Sequence, residues 1–270
     1  MSDIKLILCD IDDTLVHKEL HLDEATKEVI KKAQQAGVKF TLATGRMPYR
    51  AQVFAEEAEL TTPYIANNGS ILYDRGTFIY AKKVYAGIFK DLFRKYMKEY
   101  PDFTVIFSYD DRERPVESTA WIKAREHKYS GYDEPLGDTD VTWDQEVHKV
   151  YIVDDERRGI IGEIAEKMRQ LDGDFSFFQY QQYSMEIVAK GCSKASGMKT
   201  LLEYLKIKPE EVMAIGDHTN DMEVIKSAGL GVAVANAQPE LKEIADYVTA
   251  HERAEGVREA IQKFVSSQIN

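Results

Sequence analysis

Two aspartates lie two residues apart directly after an apolar run near the start of the chain. The run is residues 4–9 (IKLILC), and Asp10 and Asp12 follow it. Alternate residues of an extended segment point to the same side, so the two carboxylates can project together. Like charges in a poorly hydrated place repel each other and require a compensating cation or proton. Taken alone, the segment could also be an acidic turn or a helix cap.

A second pair of aspartates follows another apolar run. Asp217 and Asp221 come after residues 212–216 and share one face if a helix begins there. Carboxylate oxygens are the ligands that a hard cation such as Mg²⁺ prefers, whereas helix capping explains this cluster equally well by itself. His218 has no second histidine at ligand spacing, so we interpret it as a loop residue.

Three consecutive residues after a third apolar run could hold an anion. Thr44, Gly45 and Arg46 follow residues 38–43. A hydroxyl, a flexible backbone and a guanidinium together can bind phosphate. Lys194 lies where a predicted helix begins, and by itself it is typical of a surface lysine. Because all these groups follow strands or begin helices, we expect them to share one ligand crevice.

The segments that must position these groups alternate between strands and helices at both ends of the chain. The sequence predicts strands at 4–9, 38–43, 65–66, 212–216, 230–235 and 247–249, a hairpin at 71–73 and 77–80, and helices at 23–36, 49–60, 194–206, 219–228, 238–245 and 254–268. This alternation predicts an α/β fold with a Rossmann-like, doubly wound parallel sheet. The ligand crevice of such a sheet lies beyond the carboxyl ends of its strands.

The middle of the chain has a different pattern. It predicts a helix at 86–99, a strand at 103–109 followed by a charged, irregular stretch, a strand at 149–153, a helix at 157–171, and strands at 175–181 and 185–188. Strands that follow one another in this way indicate an α+β module with a largely antiparallel sheet. We therefore predict a discontinuous Rossmann-like core, residues 1–82 and 190–270, and an inserted α+β cap domain, residues 83–189.

Composition limits the possible partners. The chain has 270 residues, 44% of them hydrophobic, with 35 Lys and Arg against 46 Asp and Glu and a net charge of −11. This excludes a disordered or coiled-coil protein. It also opposes a nucleic-acid or anionic-membrane partner, which would need a basic surface. A small anionic substrate needs only a local cationic pocket and stays compatible with the charge.

Cysteine usage and hydropathy indicate a location. Cys9 and Cys192 form no CxxC pair, which is typical of reduced thiols in the cytoplasm. No apolar run approaches the length of a membrane span, and the first apolar run is too short for a signal peptide. We expect a cytoplasmic protein. No GxxxxGK[ST] loop is present, so the sequence does not predict nucleotide-loop chemistry.

Six segments in order along the chain resemble one family. They are DIDDTL at 10–15, ATGR at 43–46, NNGSIL at 67–72, KGCSK at 190–194, GDHTND at 216–221 and GLGVAVANA at 229–237. Together they resemble the haloacid dehalogenase (HAD) superfamily, specifically its Cof-type sugar-phosphatase branch with a type IIB cap inserted after the second motif. The resemblance spans essentially the whole chain. It is specific to the superfamily and much less specific to a substrate.

A few positions depart from the family pattern. His218 stands where a small residue is common, Ala195 and Ala235 replace glycines, and Glu252 lies near a frequent asparagine. None of these changes removes a group that the chemistry needs. His218, Ala235 and Glu252 could alter the fit of a substrate at the rim.

The resemblance implies a mechanism with Mg²⁺ as cofactor. Asp10 would attack phosphorus and form an aspartyl-phosphate. Asp12, protonated at the first step, would donate a proton to the leaving alcohol and later take one from water. Thr44 would hydrogen-bond a phosphoryl oxygen, and Lys194 would neutralise charge on Asp10 and on the phosphoryl group.

The resemblance also implies two sets of binding residues. The metal ligands would be Asp10, Asp12 through its backbone carbonyl, Asp217 and, in a supporting position, Asp221. The substrate-binding residues would be Thr44, Gly45, Arg46, Asn68, Lys194 and Asn220, with Asn67 in the same loop. In the cap, Arg125, His148, Tyr180 and Tyr183 are candidate specificity residues, although a structural role suits each of them better than contact with substrate.

Three functions stay open, and the resemblance favours the first. The first is a Mg²⁺-dependent phosphatase that acts on small phosphorylated metabolites such as sugar phosphates. A phosphomutase shares the aspartyl-phosphate step but returns the phosphoryl group to substrate. A phosphometabolite-binding regulator without turnover would not need the pair Asp10 and Asp12. We expect a monomer or a homodimer that binds neither nucleic acid nor membrane.

Overall fold

The computed structural model describes residues 3–17, 21–110, 112–125, 132–180 and 182–269. In the first segment the elements are β1 (Leu6–Cys9), α1 (Glu24–Gln35), β2 (Lys39–Leu42), α2 (Pro48–Glu57), β3 (Tyr64–Ala66), β4 (Ile71–Asp74) and β5 (Thr77–Ala81). In the middle segment they are β6 (Val84–Tyr85), α3 (Lys90–Glu99), β7 (Thr104–Ser108), β8 (Glu113–Pro115), α4 (Ala120–Lys123), α5 (Asp140–Trp143), β9 (Glu146–Val147), β10 (Lys149–Val153), α6 (Ile160–Met168), β11 (Phe175–Tyr180) and β12 (Ser184–Ala189). In the last segment they are α7 (Lys194–Leu205), β13 (Val212–Gly216), α8 (Met222–Ser227), β14 (Leu230–Ala233), α9 (Pro239–Ile244), β15 (Tyr247–Val248) and α10 (Arg253–Ile269).

The chain forms two compact units. It passes from the first unit to the second between Tyr80 and Ala81, and it returns between Gly191 and Cys192. The sequence placed these joins at 82/83 and 189/190. Within the described residues, no helix combines the length and the apolar character that crossing a membrane requires.

The first unit contains a five-stranded parallel sheet in the order β15-β14-β13-β1-β2. Every residue of β1 is buried, as expected for a central strand covered on both faces. From β1 the chain continues to β2, and from β13 it continues to β14 on the other side. The junction of β1 and β13 is therefore a topological switch point, where ligands bind in open α/β sheets. The predicted doubly wound α/β fold is confirmed.

The second unit contains a five-stranded antiparallel sheet in the order β11-β12-β10-β7-β8. One hydrophobic core joins this sheet to α3 and α6, with Phe93 and Ile164 packed with strand residues such as Phe107 and Val150. Alternate side chains of β10 point away from this core, because successive side chains of a strand point to opposite faces. The second unit therefore combines helices with an antiparallel sheet, as predicted for the inserted α+β domain.

Several predicted elements differ in detail. The stretch after β7, which we expected to be irregular, contains the short elements β8, α4, α5 and β9. Elements of two to four residues are too short to show a periodic pattern. The helix predicted at 219–228 starts as a 3₁₀ turn, Thr219–Asp221, before α8. The strand predicted at 230–235 ends at Ala233, and the next residues form a turn instead.

Candidate active site

The switch point brings two carboxylate-bearing loops together. In β1 and β13, Cys9 lies opposite Ile215, and the backbone N–H of Asp10 donates to the carbonyl of Ile215 at 3.0 Å. Asp217 follows Ile215 by two residues, directly after the neighbouring strand β13 ends at Gly216. The register of two adjacent parallel strands therefore places Asp10 and Asp217 at the same edge of the sheet.

Three buried carboxylates form one cluster at this edge. A carboxylate oxygen from each of Asp10, Asp217 and Asp221 lies within 4.8 Å of the others. The three residues are 5%, 7% and 3% exposed. Asp221 reaches the cluster because the 3₁₀ turn brings it back over Gly216, where a side chain at Gly216 would collide with the Asp221 carboxyl group. The local fold thus concentrates negative charge away from water.

Lys194 supplies the positive charge in this cluster. It is the first residue of α7, whose N-terminus is capped by a hydrogen-bonded pair of serines, Ser193 and Ser196. Its Nζ donates to Asp10 Oδ1 at 2.6 Å and to Asp221 Oδ1 at 2.7 Å, and the residue is 1% exposed. Burial opposes the charged form, but the two carboxylates outweigh it and raise the pKa of Lys194 above its usual range.

One ammonium does not balance three carboxylates. Burial raises the pKa of Asp10 well above its usual value, although Lys194 acts against this shift. Burial and the neighbouring Asp221 raise the pKa of Asp217 to about 7. With all groups ionised the cluster would carry a formal charge of −2, which a divalent cation would compensate. The donor set, carboxylate oxygens only, fits Mg²⁺.

Hydrogen bonds hold the cluster in place. Thr14 Oγ1 donates to Asp217 Oδ1 at 2.8 Å. Asp221 Oδ2 accepts from the backbone N–H groups of Asp217 and His218 at 3.2 and 3.1 Å. Both oxygens of Asp221 are therefore engaged by Lys194 and by backbone groups, which suits the supporting position expected for it. Our reading of the sequence did not single out Thr14, although it lies within the DIDDTL motif.

The Asp12 side chain lies outside this cluster. Its two carboxylate oxygens accept from Arg46 Nε at 2.9 Å and Nη2 at 2.6 Å, and about half of the side chain is exposed. The Arg46 guanidinium also lies over the ring of Phe54, 4.9 Å from its centre. Asp12 and Arg46, expected in one crevice, thus form a direct bidentate pair. Only the backbone carbonyl of Asp12 was expected at the metal.

The remaining predicted phosphate-binding residues form a connected group. The backbone N–H of Asn68 donates to the carbonyl of Thr44 at 3.0 Å, and Asn220 Nδ2 donates to Asn68 Oδ1 at 3.0 Å. Asn68 is buried and has a left-handed backbone with φ of 49°. Gly45, the residue after Thr44, is half-buried.

A close backbone approach joins this group to Lys194. A Cβ at Gly69, whose φ is 86°, would lie 1.8 Å from the carbonyl oxygen of Ser193. Only glycine permits this contact. The loop that carries Asn68 is therefore seated directly against the start of the helix that carries Lys194.

The candidate specificity residues of the second unit have partners within that unit. The Arg125 guanidinium lies over the Trp121 ring. His148 Nε2 is 2.6 Å from Asp110 Oδ1, and Tyr183 faces Arg157. Tyr180 donates to Glu186 Oε2 at 2.9 Å. Each of these residues thus contacts neighbours in the second unit, and the expectation that they select a substrate stays a prediction.

The comparisons with known proteins agree on a family. Residues 7–261 match the family model described as haloacid dehalogenase-like hydrolase. The chain is 30% identical to 5-amino-6-(5-phospho-D-ribitylamino)uracil phosphatase YcsE of Bacillus subtilis, over 97% of this chain and 96% of that protein. It is also 30% identical to the chloroplastic endoribonuclease YBEY of Arabidopsis thaliana, but it spans only 46% of that protein's length.

A solved structure shows the same fold. It is a sugar phosphatase of HAD subclass IIB, 23% identical in sequence, with a TM-score of 0.81 over 97% of this chain and 99% of that one. The agreement extends over both units of the chain, since the inserted segment is included in this coverage.

Proposed function

The chain belongs to the haloacid dehalogenase-like hydrolase family, in its Cof-type branch, and on that premise we propose that it is a Mg²⁺-dependent phosphatase of small phosphomonoesters. The observation that carries the proposal is the contact between the buried carboxylate of Asp10 and the Nζ of Lys194, inside a cluster with surplus negative charge. A buried carboxylate held in this way is poised to act as a nucleophile.

In the first half of the reaction, an oxygen of Asp10 attacks the phosphorus of the substrate. The bond from phosphorus to the alcohol oxygen breaks, and Asp12 donates its proton to that oxygen. The products of this step are an aspartyl-phosphate and a free alcohol. Thr44, Asn68 and Asn220 hold phosphoryl oxygens, and Lys194 offsets the negative charge that accumulates on the phosphoryl group.

In the second half, water attacks the phosphorus of the aspartyl-phosphate. Asp12 accepts a proton from this water, and the bond between phosphorus and Asp10 breaks to return the carboxylate and inorganic phosphate. The bidentate contact with Arg46 orients the Asp12 carboxylate, which is the form that accepts a proton. Before the first half Asp12 must carry a proton, and protonation weakens its pairing with Arg46.

Asp10, Asp217 and the backbone carbonyl of Asp12 are the groups that would hold Mg²⁺. When bound, the ion supplies positive charge that offsets the repulsion between the Asp10 carboxylate and an anionic substrate. Asp221 keeps Lys194 and the backbone of Asp217 in place beside it. The surplus charge of the cluster supports this assignment.

A regulator that only binds its ligand is a weaker proposal. Binding a phosphate monoester calls for cations and N–H groups, and three buried carboxylates oppose it unless a cation is present. A phosphomutase would use the same nucleophile, and it differs in returning the phosphoryl group to substrate. Release of inorganic phosphate therefore separates the proposed activity from both alternatives.

The test is phosphate release from a panel of phosphorylated metabolites, with Mg²⁺ or with a chelator. We expect Mg²⁺-dependent release by the native chain and a loss of at least about a thousandfold in Asp10→Asn. Asp3→Asn, the same substitution at an exposed position of the same unit, is the matched control and should keep full activity. Folded protein that releases no phosphate from any monoester would refute the proposal.

The panel should include sugar phosphates and phosphorylated ribityl compounds. The relative from Bacillus subtilis is named for a phosphoribitylamino-uracil, and the motifs of this chain do not choose among small phosphomonoesters. We propose further that the protein acts in the cytoplasm on free metabolites, as monomer or homodimer, and that the second unit selects the alcohol part of the substrate.

A further inference from the structure

The turn that follows β14, residues 234–238, contains none of the groups assigned to the chemistry. It nevertheless contacts the loop that carries Asp217. The backbone N–H of Val234 donates to the carbonyl of Gly216 at 3.2 Å, and that of Gln238 donates to the carbonyl of Asp217 at 2.8 Å. Two of its backbone groups thus hold the strand end and loop from which the Asp217 carboxylate projects.

The same turn reaches the loop that carries Asp10 and Asp12. Asn236 Nδ2 donates to the backbone carbonyl of Asp13 at 2.7 Å, and Asn236 Oδ1 accepts from the backbone N–H of Arg253 at 2.9 Å. Arg253 in turn donates from Nε to Asp13 Oδ1 at 3.3 Å. Asn236 therefore bridges two segments that are far from each other in the sequence.

Both residues bridged by Asn236 have a strained backbone. The φ angles are 58° at Asp13 and 51° at Arg253, in the left-handed region that residues other than glycine rarely adopt. Such conformations persist only where surrounding contacts impose them. The two hydrogen bonds of the Asn236 side chain are made to these two backbones, so they hold the Asp13 conformation together with the bond from the N–H of Asp13 to the carbonyl of Val16.

We propose that Asn236 is a positioning residue for the metal site. Its bond to Asp13, together with the bond from Gln238 to Asp217, sets the separation of the two loops and thereby of the Asp10 and Asp217 carboxylates. The inference rests on the proposed function, because it concerns the ion that these carboxylates would hold. Groups that orient metal ligands from outside the ligand shell affect affinity strongly.

The experiment compares Mg²⁺ binding by calorimetry in the native chain and in Asn236→Leu, which is similar in size and makes no hydrogen bond. We expect the dissociation constant for Mg²⁺ to rise about tenfold or more. We also expect kcat for a small phosphomonoester, at a fixed Mg²⁺ concentration, to fall more than KM changes. Asn236→Asp keeps an acceptor for Arg253 but cannot donate to Asp13, so it should also weaken Mg²⁺ binding.

Gln34→Met is the matched control. Gln34 Nε2 donates to the backbone carbonyl of Ala58 at 2.8 Å, so this variant also removes a half-buried amide-to-carbonyl bond in the first unit. It should lower the thermal midpoint and leave the Mg²⁺ dissociation constant unchanged. If Asn236→Leu and Asn236→Asp bind Mg²⁺ within twofold of the native chain, Asn236 is structural and the inference is wrong. If the native chain itself binds no Mg²⁺ and releases no phosphate, the proposed function fails instead.

Discussion

Two groups of buried charges, one in each unit, are balanced in different ways. In the first, three carboxylates share one ammonium, that of Lys194. In the second, Lys149 Nζ donates to Glu186 Oε1 at 2.7 Å, and these two residues are 4% and 9% exposed. The cluster in the first unit therefore holds a surplus of negative charge, whereas the Lys149–Glu186 pair in the second unit is neutral. A surplus is costly unless a cation joins it, whereas a balanced pair is compatible with a purely structural role.

The largest effect should follow the loss of Lys194. Lys194→Met leaves Asp10 and Asp221 buried without their common counter-charge, so we expect the metal-free protein to lose about 3–5 kcal/mol of unfolding free energy. Phosphate release should fall at least about a hundredfold. Urea denaturation in the presence of a chelator measures the first effect. Adding Asp10→Asn to the variant should recover part of the stability, and a variant as stable as the native chain would contradict the surplus of charge.

The balanced pair of the second unit provides the contrasting experiment. Lys149→Met alone leaves the buried Glu186 carboxylate without its ammonium partner and should cost about 3 kcal/mol of unfolding free energy. The double variant Lys149→Met/Glu186→Leu should recover most of that loss, because it removes both charges. Denaturation of the three proteins measures this cycle. If the double variant recovers its stability but has a strongly raised KM, the pair contacts substrate. Its role is then not purely structural, and the contrast with the first unit fails.

The stability of the metal-free protein should depend on pH through the carboxyl group of Asp217. Burial and Asp221 raise the pKa of its carboxyl to about 7 without metal, whereas the pKa of an aspartate in the unfolded chain is about 3.9. Between these values the folded state binds the extra proton, so stability falls as pH rises. This group should make the metal-free protein roughly 1 kcal/mol less stable at pH 8 than at pH 6.

Mg²⁺ should act against this trend. The ion must displace the proton from Asp217, so its stabilising effect should be larger at pH 8 than at pH 6. Denaturation at both pH values, with chelator and with Mg²⁺, measures the difference. In Asp217→Asn the contribution of Asp217 to the pH dependence and most of the Mg²⁺ effect should disappear, whereas the contribution of Asp10, whose pKa is also raised, should remain. If that variant keeps the same slope, another group is responsible.

The smallest effect on stability should come from the partly exposed pair of Asp12 and Arg46. Exposed ion pairs contribute about 0–1 kcal/mol, so Arg46→Met should change the unfolding free energy by less than about 1 kcal/mol. Its effect should appear in the kinetics as a raised KM, since the guanidinium was expected to bind the phosphoryl group. Arg46→Lys should restore part of the affinity. If Arg46→Met instead loses several kcal/mol of unfolding free energy, this pair contributes to stability as a buried pair does.

Much of the fold was predictable because its signals are local. Strand β1 and the run 212–216 are continuous apolar segments, and the aspartates follow them immediately in the sequence. The family was predictable for the same reason, since each motif is a contiguous string at a strand end. Short elements such as α4 and α5 were missed because four residues carry no period.

The order of residues places the reactive groups directly after the strands, but which of these groups touch each other depends on the three-dimensional fold. Lys194 contacts Asp10 across 184 positions, Thr14 contacts Asp217 across 203, and Asn236 contacts Asp13 across 223. These contacts depend on the register of β1 against β13 and on the packing of the 67–69 loop against α7. The local residue types and spacings do not determine that register, because it depends on how all strands of the sheet pack into one hydrophobic core.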